Sequence, residues 1–268
     1  MPRFFRYSKK TYNTLSNNQQ HKFAQNHALS IYSLDTIYSF IPKNACSTLR
    51  TTIAYENGCI DHPSDFNWIH KNNQTFKASL SELIKAKYTF TILRCPFSRL
   101  VSAYLDKIIS RDRQAWEYID LHDRKIQMED ITFDFFVKSM SQNSIKKGNI
   151  HWRPQEDFLV YQEYDDYFCL ENFTEAERTL EEKIGLKIID ARPFTLHSIK
   201  NYDYFDSANV DLWNLKPSEI LSYKLKGELP NPQKMYNDEL VNLVRTAYKS
   251  DIKLYQEKIG SETLMYSL

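Results

Sequence analysis

Residues 36–55 read TIYSFIPKNACSTLRTTIAY, and the order of residue types in that stretch decides the fold class. Thr36 to Ile41 is aromatic and β-branched, the mark of a buried strand, and Pro42 ends it. After a polar turn, Leu49, Ile53 and Ala54 recur at helical spacing within Ser47 to Tyr55, and Gly58 stops the helix. A second stretch repeats the pattern. Tyr88 to Leu93 (YTFTIL) reads as a strand and Arg94-Cys95-Pro96 as a turn. Phe97 to Ile109 then reads as a helix, with Leu100, Val101, Tyr104, Leu105, Ile108 and Ile109 at apolar positions. Pro96 suits the first turn of that helix. Two strand–turn–helix units predict an α/β protein, with a parallel sheet flanked by helices and a binding crevice at the strand ends.

Outward from these units, residues 1–34 are polar and rich in Asn, Gln and His, and read as a partly ordered lead-in. Arg111 to Gln127 is charged and reads as an exposed helical insertion. Ile131 to Met140 is helical, Tyr161 to Leu170 holds a short strand, and Glu175 to Ile184 is a helix stopped by Gly185. The last element runs from Asn237 to Ile259, with Leu240, Val244, Ala247, Tyr248, Ile252 and Tyr255 on one face. With no internal repeat and no proline-rich linker, residues 35–268 are expected to form a single domain.

Composition narrows the function classes. The 35 basic and 34 acidic residues nearly cancel, so a general nucleic-acid binder is disfavoured while a local basic pocket is not. Average usage predicts about 19 glycines in this length, yet there are 5, too dispersed for a dinucleotide fingerprint or a standard Walker A loop. Cys46, Cys59, Cys95 and Cys169 form no CxxC pair, which argues against a zinc ribbon or redox dithiol. No apolar stretch reaches the roughly 20 residues needed to span a bilayer. A cytoplasmic location is the resulting expectation, with no transmembrane segment and peripheral membrane contact left open.

The chemistry-bearing residues sit in the two turns. In Pro42-Lys43-Asn44-Ala45-Cys46-Ser47-Thr48, a strand enters a helix through a tight turn, which offers unpaired N–H groups and the positive end of the helix dipole to an anion. Lys43 adds a point charge, and Ser47 and Thr48 add hydroxyls. Arg94, at a strand end, suits bidentate phosphate contact, and Ser102 adds a donor from the following helix. Arg99 is a weaker candidate, since a helical arginine is more often solvated. Two anion sites on adjacent units imply a ligand with two separated anionic groups.

Those residues carry a resemblance. IPKNACSTLR resembles the 5′-phosphosulfate loop of the Golgi-type carbohydrate sulfotransferases (sulfotransferase family 2), and ILRCPFSRLVSAYLDKI resembles their 3′-phosphate motif. Asn149 to Gln155 (NIHWRPQ) is similar to the family's His-Trp segment, followed by an aromatic strand and Glu171-Asn172-Phe173. The resemblance runs from about Ile37 to Phe173. It implies a P-loop-like fold, the donor 3′-phosphoadenosine 5′-phosphosulfate and a carbohydrate acceptor, with no metal. Lys43 would approach the phosphosulfate bridge, Pro42 and Asn44 to Thr48 would cradle it, and Arg94 and Ser102 would hold the 3′-phosphate. Cys95 replaces an acidic residue common in the family, and two cysteines expected after the His-Trp segment are absent, which leaves the acceptor side less defined.

The acceptor hydroxyl needs a base, and histidine suits neutral pH. His70, in the stretch between the donor motifs, is the first expectation. His151 is the rival and His62 a weaker third, while His21, His27 and His122 read as surface residues and His197 as part of a loop near the donor. Two other readings stay open on the same sequence. One is a nucleotide-dependent kinase, weakened by the missing Gly-Lys-Ser/Thr element. The other is a non-catalytic glycan-binding protein using some of the 18 tyrosines and 4 tryptophans.

Overall fold

The computed structural model describes residues 3–10, 14–72, 74–190, 202–206 and 210–266. Residues 18–34 are ordered and built into the fold, unlike the polar lead-in that their composition suggests. Asn18 caps helix α1 (Gln19–Asn26) by accepting from the backbone of Gln20 and His21. Strand β1 (Ala28–Ile31) follows, with all four residues buried. His21 and His27, expected at the surface, are 1% and 9% exposed. Alternating polar residues hid a strand that the four-residue run ALSI forms.

Next come β2 (Thr36–Ser39), α2 (Cys46–Glu56), the short α3 (Trp68–Lys71), α4 (Leu80–Lys85) and β3 (Tyr88–Leu93). Helix α5 (Pro96–Ala103) passes into a π turn at Tyr104–Ile108, where the sequence read one uniform helix. Helices α6 (Arg113–Leu121), α7 (Phe133–Ser139) and α8 (Asn143–Gly148) precede β4 (Asp166–Cys169) and α9 (Phe173–Ile184). The chain finishes with β5 (Asp203–Phe205), α10 (Pro217–Lys224), β6 (Glu228–Pro230), α11 (Asp238–Ala247) and α12 (Lys249–Lys258). The expected last helix is therefore two, broken at Tyr248, whose hydroxyl donates to Trp152 O at 2.6 Å.

The architecture is α/β with a mostly parallel central sheet flanked by helices. Its strand order is β1-β2-β3-β4, with β1 antiparallel to β2 and the other pairs parallel. Contacts divide the chain into two compact units, Met1–Arg94 with Gln155–Leu196, and Cys95–Pro154 with His197–Leu268. The first unit holds this sheet. Its core gathers Leu29, Ile31, Tyr38, Leu49, Ile53, Phe90, Ile92 and Leu180, each at most 2% exposed. Burying each such side chain contributes about 1.5–3 kcal/mol. Two threonines interrupt the apolar run of β3 without penalty, because buried hydroxyls are tolerated when bonded: Thr91 Oγ1 donates to Ser39 O at 2.9 Å and Thr89 Oγ1 to Asp165 at 2.9 Å. The second unit has an aromatic core in which Phe136, Tyr118 and Trp152 meet with ring centroids 5.5–5.7 Å apart.

Candidate functional site

Strands β2 and β3 leave the sheet side by side. Ser39 pairs with Thr91, so the third residue beyond each, Pro42 and Arg94, begins its connection at the same carboxyl edge, where parallel sheets bind ligands. Tyr164 secures this end of β2. Its hydroxyl lies 2.6 Å from Ser39 Oγ and accepts from Val160 N at 2.9 Å. Burial pushes the phenol up to about 12, so it remains neutral at working pH.

From buried Pro42 the turn passes twice through left-handed backbone, at Lys43 (φ 74°) and Ala45 (φ 55°). Each such non-glycine residue costs roughly 1–2 kcal/mol. Asn44, between them and 0% exposed, holds the turn to the sheet. Its Nδ2 donates to Ile92 O at 2.8 Å and to Gln155 Oε1 at 2.7 Å. Among the described residues its buried Oδ1 has no hydrogen-bond partner. Ala45 is the N-cap of α2, and no side chain among the described residues caps that helix. Its first-turn N–H groups are thereby left for an anion, with the dipole behind them. Lys43, Cys46, Ser47 and Thr48 are half-buried around this opening.

Arg94 joins the loop directly. Its guanidinium Nη1 donates to Lys43 O at 2.9 Å, while its backbone N and O are both bound by the side chain of Gln155, at 3.1 and 2.9 Å. The loop 42–48 and Arg94, singled out separately in the sequence, thus meet in one constellation. Below it, Arg50 of α2 donates to Ile69 O of α3, the short helix that carries His70, and lies 5.4 Å from the Phe40 ring centroid. Burial lowers the Arg50 pKa from an ordinary arginine value so high that the charge persists. His70 itself is exposed, as is His62, whose Nδ1 lies 2.8 Å from Ser64 Oγ.

The remaining candidates belong to the second unit. Ser102 is half-buried on α5. Arg99, read as solvated, is 2% exposed and instead donates to Arg153 O at 2.8 Å and Ile150 O at 3.2 Å, bracing the His-Trp segment. In that segment Trp152 is 0% exposed and donates from Nε1 to Ile145 O at 2.9 Å. His151 Nδ1 lies 2.8 Å from Asn149 Oδ1, and Asn149 Nδ2 donates to Glu117 Oε2 at 2.7 Å. An amide oxygen only accepts, so Nδ1 of His151 carries the proton in this hydrogen bond. His197, Ser198 and Lys200 lie outside the described residues.

Two participants escaped the sequence reading. Gln155 closes the segment NIHWRPQ with nothing in its spacing to distinguish it, and Arg50 reads as an ordinary helical arginine. A long-range amide bridge leaves no periodic trace.

The model of the sulfotransferase family matches residues 26–256. The chain is similar to a carbohydrate sulfotransferase 14 of Danio rerio, 24% identical over 141 residues, which is 44% of this chain and 36% of that protein's length. No solved structure matches. These matches overturn the cytoplasmic location expected from the sequence, because they set the chain beside carbohydrate sulfotransferases, the Golgi-type enzymes named above. Low cysteine pairing and the lack of an apolar span were insufficient grounds for assigning a compartment. Among the described residues no helix is long and apolar enough to cross a membrane.

Proposed function

We propose that this chain, which belongs to the sulfotransferase family, moves a sulfuryl group from 3′-phosphoadenosine 5′-phosphosulfate to a carbohydrate hydroxyl on a P-loop-like fold. One observation carries the reading: an uncapped helix N-terminus and Lys43 share a sheet edge with Arg94, which bonds to the loop. That pairing suits a nucleotide with anionic groups at both its 5′ and 3′ ends. Lys43 stabilises the charge that develops on the bridging oxygen as the S–O bond to the phosphate breaks. The N–H groups and hydroxyls from Asn44 to Thr48 cradle the 5′ end, and Arg94 takes the 3′-phosphate. The acceptor oxygen forms the new O–S bond in line with the leaving phosphate, and its proton passes to a histidine. His70, carried on the short helix α3, is the first candidate for that base, and His151, whose Nδ1 lies 2.8 Å from Asn149 Oδ1, is its rival.

Thermal-shift titration of the full chain with adenosine 3′,5′-bisphosphate and with ATP tests the donor reading. Ligand at a hundred times its Kd stabilises by about 2.7 kcal/mol. Stabilisation by the bisphosphate and not by ATP is expected. A response to ATP alone, with turnover lost in EDTA and restored by magnesium, turns the reading to a kinase. Silence to both nucleotides turns it to a glycan-binding protein. Turnover of labelled donor against a panel of glycans then tests the acceptor class.

A further inference from the structure

Gln155 uses its one amide group three times in a site where it is 1% exposed. Oε1 accepts from Asn44 Nδ2 and from Arg94 N, and Nε2 donates to Arg94 O. Asn44 continues the network to Ile92 O, and the Arg94 side chain returns to Lys43 O. The bonds form a closed ring: Gln155 to Asn44, along the chain to Lys43, across to Arg94 and back to Gln155. Only an amide of this length serves. A carboxylate at the same place lacks the N–H that Arg94 O receives, and asparagine is shorter by one C–C bond. With both peptide groups flanking Arg94 held, the direction in which its guanidinium leaves the backbone is fixed. With Asn44 held, so are the left-handed residues on either side of it.

We infer that Gln155 is a positioning residue that fixes the separation of the two anion-binding elements, and thereby sets the preference for a nucleotide bearing both a 3′- and a 5′-anionic group over one bearing the 5′ group alone. The inference rests on the donor reading above. Removing the amide leaves Lys43, the N–H groups of α2 and the Arg94 charge in place but frees their relative position. A ligand that needs both ends at once then loses most, because misplacement of about 1 Å between cooperating groups can cost up to 100-fold. A ligand that uses only the loop loses little.

The test measures, by calorimetry on the full chain, the affinities of adenosine 3′,5′-bisphosphate and adenosine 5′-monophosphate. Wild type, Gln155→Ala and Gln155→Met are compared, the last filling the same volume without hydrogen bonds so that packing is retained. The expected result is a fall of roughly 10- to 100-fold in the bisphosphate-to-monophosphate preference, with the monophosphate affinity little changed. Equal weakening of both nucleotides in a folded variant, or no weakening, overturns the positioning role, since a general loss of stability does not discriminate between them. If wild-type protein binds the monophosphate as well as the bisphosphate, the donor reading itself fails, which separates that failure from the failure of Gln155.

Discussion

Asn44→Asp changes one N–H₂ group to an oxygen at almost constant shape, so its consequences can be worked from four atoms. Nδ2 of Asn44 sits 2.8 Å from Ile92 O and 2.7 Å from Gln155 Oε1, both acceptors, at a position 0% exposed. An ionised carboxylate there meets two lone-pair oxygens and no donor. Two hydrogen bonds worth about 1 kcal/mol each disappear, and buried acceptors left unsatisfied cost about 1–3 kcal/mol apiece. Rotating the Gln155 amide to present Nε2 gives no escape, because Oε1 then faces Arg94 O and Nε2 faces away from it. Protonating the new carboxyl recovers one donor at most, and burial raises its pKa in that direction. A loss of about 3–5 kcal/mol is expected near neutral pH, the range seen when a buried polar partner is replaced by an uncompensated charge. Asn44→Ala removes the same two bonds but also removes the orphan Oδ1, so it should cost only about 1–3 kcal/mol. Urea denaturation followed by tryptophan fluorescence measures both. The expected order of stability is wild type, then Asn44→Ala, then Asn44→Asp, with the last gap narrowing as pH falls. If Asn44→Asp matches wild type near neutral pH, the donor role assigned to Nδ2 is wrong.

Further outcomes follow from named groups. Lys43→Ala should lower turnover by about 10²–10³-fold, while Arg94→Ala should chiefly weaken adenosine 3′,5′-bisphosphate binding, by about 2–5 kcal/mol; calorimetry showing unchanged binding in Arg94→Ala removes it from the donor site. His70→Ala should lower turnover by about 10²–10⁴-fold with bisphosphate affinity retained, and that pattern in His151→Ala instead, with His70→Ala near wild type, assigns the base to His151. His21, buried with neither ring nitrogen bonded among the described residues, has its pKa lowered by burial. The unfolded chain therefore binds the proton first, and stability should fall as pH drops through the ordinary histidine value and level off below the folded one. His21→Phe should flatten that part of the urea-midpoint profile. Ala45→Gly relieves about 1–2 kcal/mol of left-handed strain against about 0.4–1 kcal/mol of added chain entropy, so a slightly higher midpoint is expected, and a clearly lower one refutes the strain argument.

The parts of this protein legible in sequence are those in which chemistry repeats locally. Thr36 to Ile41 and Tyr88 to Leu93 announce strands because parallel strands buried on both faces need unbroken apolar and β-branched runs, and β3 keeps the expected bounds. The helix at Glu175 to Ile184 ends at Gly185, whose φ of 72° is the left-handed cap that glycine supplies. Strand β1 was hidden because an antiparallel edge strand of four residues, ALSI, carries too little pattern to stand out from its polar neighbours. Arg99 was misread for a related reason. Its position on α5 says nothing about the carbonyls of Ile150 and Arg153, about fifty residues away in sequence, that draw it inward.

The loop 42–48 joins these two kinds of information. Loops that present N–H groups to an anion ordinarily use glycine, because positive φ is free only there. This chain has 5 glycines and none in residues 42–48, so Lys43 and Ala45 adopt positive φ with side chains attached. A glycine at 43 would remove the strain but also the cation. The strained form needs bonds that overdetermine it, and Asn44 to Ile92 and Gln155, with Arg94 to Lys43, are those bonds. The motif residues are visible in sequence because they carry charge and hydroxyls. The residue that lets them hold that shape, Gln155, is visible only once the chain has returned from more than a hundred positions away.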